Sequence, residues 1–151
     1  RVRGTAVFLT ADPHAAPSAL LHNLKHNQVL HENVILLCVR TAQAPRVSDA
    51  ERVSIECVRE DVHIVTLTFG FMETSNVIRG LTLARAQGLP FDIMTTSFFL
   101  SRRALVPSAT GAMPRWQDLL LIFLARNAAG ATEFFHIPSA RVVELGAQVA
   151  V

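Results

Sequence analysis

The least polar stretch of this chain is Val34 to Val39, six consecutive apolar residues between Asn33 and Arg40. A strand with one wet face shows a polar residue at every second position, so this run predicts a strand covered on both faces, in the middle of a sheet. Thr5 to Leu9 has the same two-sided character. About two dozen residues holding one helix lie between them, the length of a right-handed β-α-β crossover rather than a hairpin. Within that connection, Thr10 to Ala16 reads as a turn broken by Asp12-Pro13, and Pro17 suits the first position of a helix running to about Asn27. Leu20, Leu21 and Leu24 fall on one side of this helix as its expected buried face. His22, Asn23, Lys25 and His26 are left pointing outward.

After a polar connection at Ala42 to Ala50, residues Arg52 to Cys57 alternate Val53, Ile55 and Cys57 against Arg52, Ser54 and Glu56. Val62 to Phe69 alternates likewise, and the two strands form an antiparallel hairpin. Gly70 breaks the second of them. A helix follows over Ser75 to Gln87, capped by Thr74 or Ser75, with Val77, Ile78, Leu81 and Ala84 inward and Gly88 and Pro90 as its stop. Thr95 to Leu100 is a fifth strand with Arg102 and Arg103 at its end, and Pro107 to Pro114 is a loop of turn formers. Trp116 opens the most apolar helix, Gln117 to about Asn127, which must be covered on more than one side by its own domain or by a partner. Ala128 to Phe135 continues it with a weak point at Gly130. Arg141 to Leu145 and Gln148 to Val151 form a last strand, bent or bulged at Gly146. The fold class is α/β with a mixed central sheet, in the order β-α-β-β-β-α-β-α-β.

At 151 residues this is one domain with a core large enough to fold alone. Only 17% of residues are charged, low for an ordinary wetted surface, so part of that surface is expected to meet another domain or subunit. A formal charge of +2 and scattered arginines give no nucleic-acid footprint. The apolar run Leu119 to Ala125 falls short of the roughly 18 residues that cross a bilayer. There is neither an initiating methionine nor a signal-peptide pattern, and the start at Arg1 suggests a piece of something longer. Cys38 and Cys57 fall in strands and read as reduced core thiols of a cytosolic protein rather than a disulfide or metal pair.

Catalytic patterns are missing: the sequence has no GxSxG elbow, P-loop, GxGxxG or CxxC. His22 and His26 are four apart, but HNLKH lacks the glutamate of HExxH. The acidic residues sit mainly in turns and at helix ends, and Cys38 lies inside the most buried run, so no enzymatic activity, cofactor or metal is expected. A binding site is the stronger expectation. Open α/β sheets take ligands beyond the carboxyl ends of their parallel strands. Thr10, Asp12 and His14 stand there after the first strand, and Arg40 and Thr41 after the central one. Arg40 suits a phosphate and His14 a nucleobase, although Arg40 also suits plain neutralisation of a carboxylate at the sheet edge. The competing readings are a small nucleotide-binding or protein-interaction module and a stand-alone enzyme using His22, His26 or His31 as acid-base groups.

Several stretches together resemble the C-terminal domain of the KUP family of bacterial potassium uptake transporters. They are Gly4 to Leu9, Leu21 to Asn27 with Val29 to Glu32, Pro45-Arg46-Val47 with Glu51-Arg52-Val53, Gly70-Phe71-Met72-Glu73, Phe99-Leu100 with Arg102, Phe123 to Ala128, and Val142 to Gly146. They run in family order across nearly the whole chain, whereas Arg3, Phe98, Ser101 and Arg103 depart from the family pattern. The resemblance implies a multi-spanning protein of the inner membrane that imports potassium with protons. This chain would be its cytoplasmic appendage, regulating, stabilising or dimerising it without transport chemistry of its own. The implied partners are the transmembrane domain of the same polypeptide, a second copy meeting it through the Trp116 to Leu124 helix, and a regulatory nucleotide of the cyclic di-AMP type, with no nucleic acid.

Overall fold

The computed structural model describes residues 1–106, 115–127 and 134–150. The strands are β1 (Val2–Thr10), β2 (His31–Ala42), β3 (Val53–Arg59), β4 (Val62–Gly70), β5 (Thr96–Val106) and β6 (Val142–Ala150). The helices are α1 (Ser18–His22), α2 (Asp49–Arg52), α3 (Val77–Ala86) and α4 (Arg115–Asn127). One sheet results, ordered β3-β4-β2-β1-β5-β6. Its neighbours are parallel except for the β3-β4 hairpin, so the mixed α/β architecture and the β1-α1-β2 crossover follow the hydrophobic pattern.

β2 is the inner strand its sequence demands. Ile35 and Leu37 are fully buried in one core with Val7, Leu67, Phe98 and the inner face of α3, while Val34 joins Ala6, Phe8, Phe99 and Ala19 in a second core. Val7 and Phe8 thus feed opposite faces of the sheet, as the two-residue strand period requires. Phe8 stacks on Phe99 across the pair, with ring centres 4.7 Å apart.

The helix between β1 and β2 buries a different face from the one expected. Ala19 and Asn23 are buried and Leu20 packs against the second core as expected, whereas Leu21 is 54% and Leu24 40% exposed. The helix widens into a π-turn at Asn23–Asn27, which ends at Gln28 in the left-handed region (φ 54°). Asn23 turns inward because its amide is satisfied there: Nδ2 donates to the Val29 carbonyl (3.0 Å) and Oδ1 accepts from Asn27 Nδ2 (2.8 Å). A buried amide with its bonds made is tolerated.

Other expectations shift by a residue or a partner. Arg52, read as the wet first residue of the third strand, instead ends α2 and is buried. Cys57 is exposed rather than in the core, because burial falls from Val53 through Ile55 to Cys57 along an edge strand with no outer neighbour. The cap of α3 is Asn76, whose side chain accepts from Arg79 N (2.9 Å), in place of Thr74 or Ser75. Strand β5 does not end at Leu100 but runs on through Arg102 and Arg103, held by β6 in unbroken register. Gly146 pairs with Arg102 inside that register, so no bulge forms there. The expected loop at 107–114 and the helix continuation at 128–133 lie outside the described residues.

Candidate functional site

Sheet order reverses between β1 and β5. A cleft of about 730 Å³ opens at the carboxyl ends of β1, β2 and β5. Leu9, Leu37, Val39, Leu100 and Phe135 form its apolar floor, and Thr10, Asp12, Ser18 and Ser101 its polar rim. The rim is internally bonded: Thr10 Oγ1 donates to the Asp12 carbonyl (2.8 Å), and Ser18 Oγ donates to Ser101 Oγ (3.0 Å) across the strand gap. Thr10 and Asp12 therefore line the cleft, and His14 belongs to the same turn, its N–H donating to Asp12 Oδ1 (3.0 Å). Arg40 and Thr41 lie further along β2, opposite Thr68 and Phe69 of β4, and are not in the cleft wall.

A second constellation stands beside the ends of β2 and β4, and the sequence reading missed it. The buried Arg52 guanidinium donates to Glu73 Oε1 (2.8 Å), to Asp49 Oδ1 (3.1 Å) and to the Val47 carbonyl (2.7 Å), and lies 5.0 Å from the centre of the Phe69 ring. Glu73 Oε2 in turn accepts from Gly70 N (2.7 Å) and Val47 N (3.0 Å). The Arg52 hydrogen bond, followed by that of the Gly70 N–H, holds the Glu73 carboxyl down at about 2, against the opposing effect of burial. Asp49, bonded by Arg52 and then Arg79, is also held below the usual carboxylate range. The node ties the connection after β2 to the turn after β4. Its Val47, Arg52, Gly70 and Glu73 come from Pro45-Arg46-Val47, Glu51-Arg52-Val53 and Gly70-Phe71-Met72-Glu73, three stretches that carried the family resemblance. That co-occurrence was the one available signal, since Arg52 in isolation looks like an outward strand residue.

The histidines do not meet at a cleft. His22 and His26 stack on one another with ring centres 5.8 Å apart, and His31 sits at the start of β2 against the edge of Phe99. Burial pushes the His31 pKa down. Among the described residues, no group of three or more His, Cys, Asp or Glu is placed to hold a metal ion. No described helix is long and apolar enough to cross a membrane.

The chain is a mixed α/β domain with an apolar-floored cleft at the carboxyl ends of β1, β2 and β5 and an ion-paired node beside the ends of β2 and β4. The chain belongs to the K+ potassium transporter C-terminal domain family, whose model matches residues 3–151. It is 60% identical over 151 residues to the probable potassium transport system protein Kup of Caulobacter vibrioides, covering all of this chain and 23% of that protein. The Kup 2 protein of a Bradyrhizobium species is 57% identical and the Kup 1 protein of Mesorhizobium japonicum 59% identical, each over 150 residues, 99% of this chain and 24% of the relative. The chain thus spans about a quarter of the length of the curated relatives it matches, which are probable potassium transport system proteins. No solved structure matches it.

Proposed function

We propose that this chain is the regulatory and assembly domain of a transporter that takes up potassium together with protons, and that it lies on the cytoplasmic face of the cell membrane. The ion-coordinating groups then belong to the transmembrane part of the same polypeptide. Beyond family membership, the observation that supports the reading is α4. Trp116, Leu119, Leu120 and Leu124 recur at helical spacing and are all exposed, whereas Ile122 is buried. A contiguous apolar face of this kind marks a surface meant to be covered. More than three quarters of the Caulobacter relative lies outside the matched region, so the remainder of the transporter is the occupant we assign to it. Contacts on this face bias the membrane part between its access states only if they are stronger in one state than in the other.

Placing L120E and L124E together in the full-length transporter tests this, with potassium uptake measured in cells lacking other uptake systems. Uptake is expected to fall, while the 151-residue chain bearing both changes keeps its unfolding midpoint. Unchanged uptake would remove the reading. If α4 instead meets a second copy, the unaltered chain sediments as a dimer and the double variant as a monomer.

The strand-end cleft favours one addition, a regulatory nucleotide of the cyclic di-AMP type. Its volume lies in the range of small-ligand sites, and it sits at the reversal point of the sheet. Thr10 and Asp12 would contact the ligand from the rim and His14 from the same turn, whereas Arg40 and Thr41, expected beside them, stand outside the cleft wall. Calorimetric titration with cyclic di-AMP, AMP and ATP checks it; heat abolished by H14A supports it, and a flat response to all three removes it.

A further inference from the structure

The turn at 70–73 holds two large apolar side chains in water: Phe71 is 59% exposed and Met72 72%. The backbone imposes this. Phe71 N donates to the Ala44 carbonyl (3.0 Å), Met72 N to the Pro45 carbonyl (3.1 Å) and Glu73 N to the Gly70 carbonyl (3.0 Å). The Glu73 carboxylate, fixed by Arg52, clamps the same turn from beneath through Gly70 N. Folding either side chain inward would break this set and leave backbone groups without partners.

Beside the turn, a cleft of about 400 Å³ brings Arg46 and Arg79 to Met72. Arg79 shares its charge with Asp49 (3.1 Å), and Arg52 is engaged by Glu73. Arg46 is exposed, and among the described residues it forms no ion pair. An apolar projection held by backbone hydrogen bonds beside one guanidinium without an ion pair among the described residues, that of Arg46, suits a bilayer with acidic headgroups. The apolar groups enter the interfacial layer while the cations stay with the phosphates. A protein partner would have to supply a pocket shaped to both side chains, whereas the interfacial layer needs none.

We propose that the turn at 70–73 is a membrane-contact element, in which Phe71 and Met72 insert into an acidic lipid surface and Arg46 contacts its headgroup phosphates. This does not depend on what covers α4. The test is co-sedimentation of the 151-residue chain with vesicles of phosphatidylcholine alone and of phosphatidylcholine with phosphatidylglycerol. Binding is expected to the acidic vesicles and to weaken with salt. The F71S/M72S double variant should lower affinity at least about tenfold, and R46Q about fivefold. Both variants should unfold at the parent midpoint, because the altered side chains are exposed. Failure of the folded chain to bind acidic vesicles overturns the proposal, as does full binding by F71S/M72S. Binding that survives F71S/M72S but vanishes with L120E/L124E assigns the lipid contact to α4, which also overturns it. Loss of uptake by a full-length F71S/M72S transporter, without vesicle binding by the chain, points to a protein partner and has the same consequence.

Discussion

Arg52 and Glu73 are 21 positions apart in sequence and 2.8 Å apart in space, and through this pair the chain after β2 is fastened to the turn after β4. The Arg52 side chain is only 4% and that of Glu73 19% exposed, so removing either partner strands a charge where water has little access. R52M is expected to destabilise the domain by about 3 kcal/mol, read from urea unfolding. It should also loosen the exposed turn, which hydrogen exchange at Phe71 and Met72 would detect.

The same pair sets an acid dependence. The folded pKa of Glu73, about 2, is depressed below its ordinary value of 4.5. Its contribution to stability is therefore fully present above the unfolded pKa and is lost as pH falls from there towards the folded value. Between roughly pH 5 and pH 2, the unfolding midpoint of the parent should drop more steeply than that of E73Q. Parallel curves would show that the Arg52–Glu73 bond contributes nothing to this slope.

Two glycines should respond differently to alanine. A Cβ at Gly70 would run into the carbonyl of Pro45 in the packed connection, so G70A should cost about 1–3 kcal/mol through forced backbone movement. Gly88 has φ +102° with open space around it, so G88A carries only the conformational penalty, of the order of 1 kcal/mol. Thermal unfolding of the two variants side by side measures the difference.

The inverted face of the first helix makes a separate prediction. N23A deletes both amide bonds and leaves the Val29 carbonyl without its donor, at a cost of about 1–2 kcal/mol. L21S should stay within about 0.5 kcal/mol of the parent because Leu21 is already exposed. The opposite order would mean that the leucine face is buried after all.

The cysteines can be told apart by access alone. Cys57 is exposed, whereas Cys38 is buried with its Sγ against the Ala11 carbonyl (3.5 Å). A thiol reagent should modify one cysteine per folded chain and both after unfolding, with peptide mapping placing the first on Cys57. Two modifications in the native state would contradict the buried position of β2.

What the residues determined by themselves was whatever depends on local periodicity. Val34 to Val39 could only be an inner strand, since six apolar residues in a row leave no wet face, and the spacing from Thr5 to Val34 allowed only a crossover. Tertiary structure decided which side of a short helix is buried and which charges are paired. Leucine outranks asparagine in any hydrophobic count, yet Asn23 is inside and Leu21 outside, because the Val29 carbonyl and Asn27 happen to meet its amide. Arg52 reads as a surface residue until Glu73 is brought to it by folding. Pairings between residues far apart in the chain leave no periodic trace, because their energy exists only once the sheet has brought the two segments together.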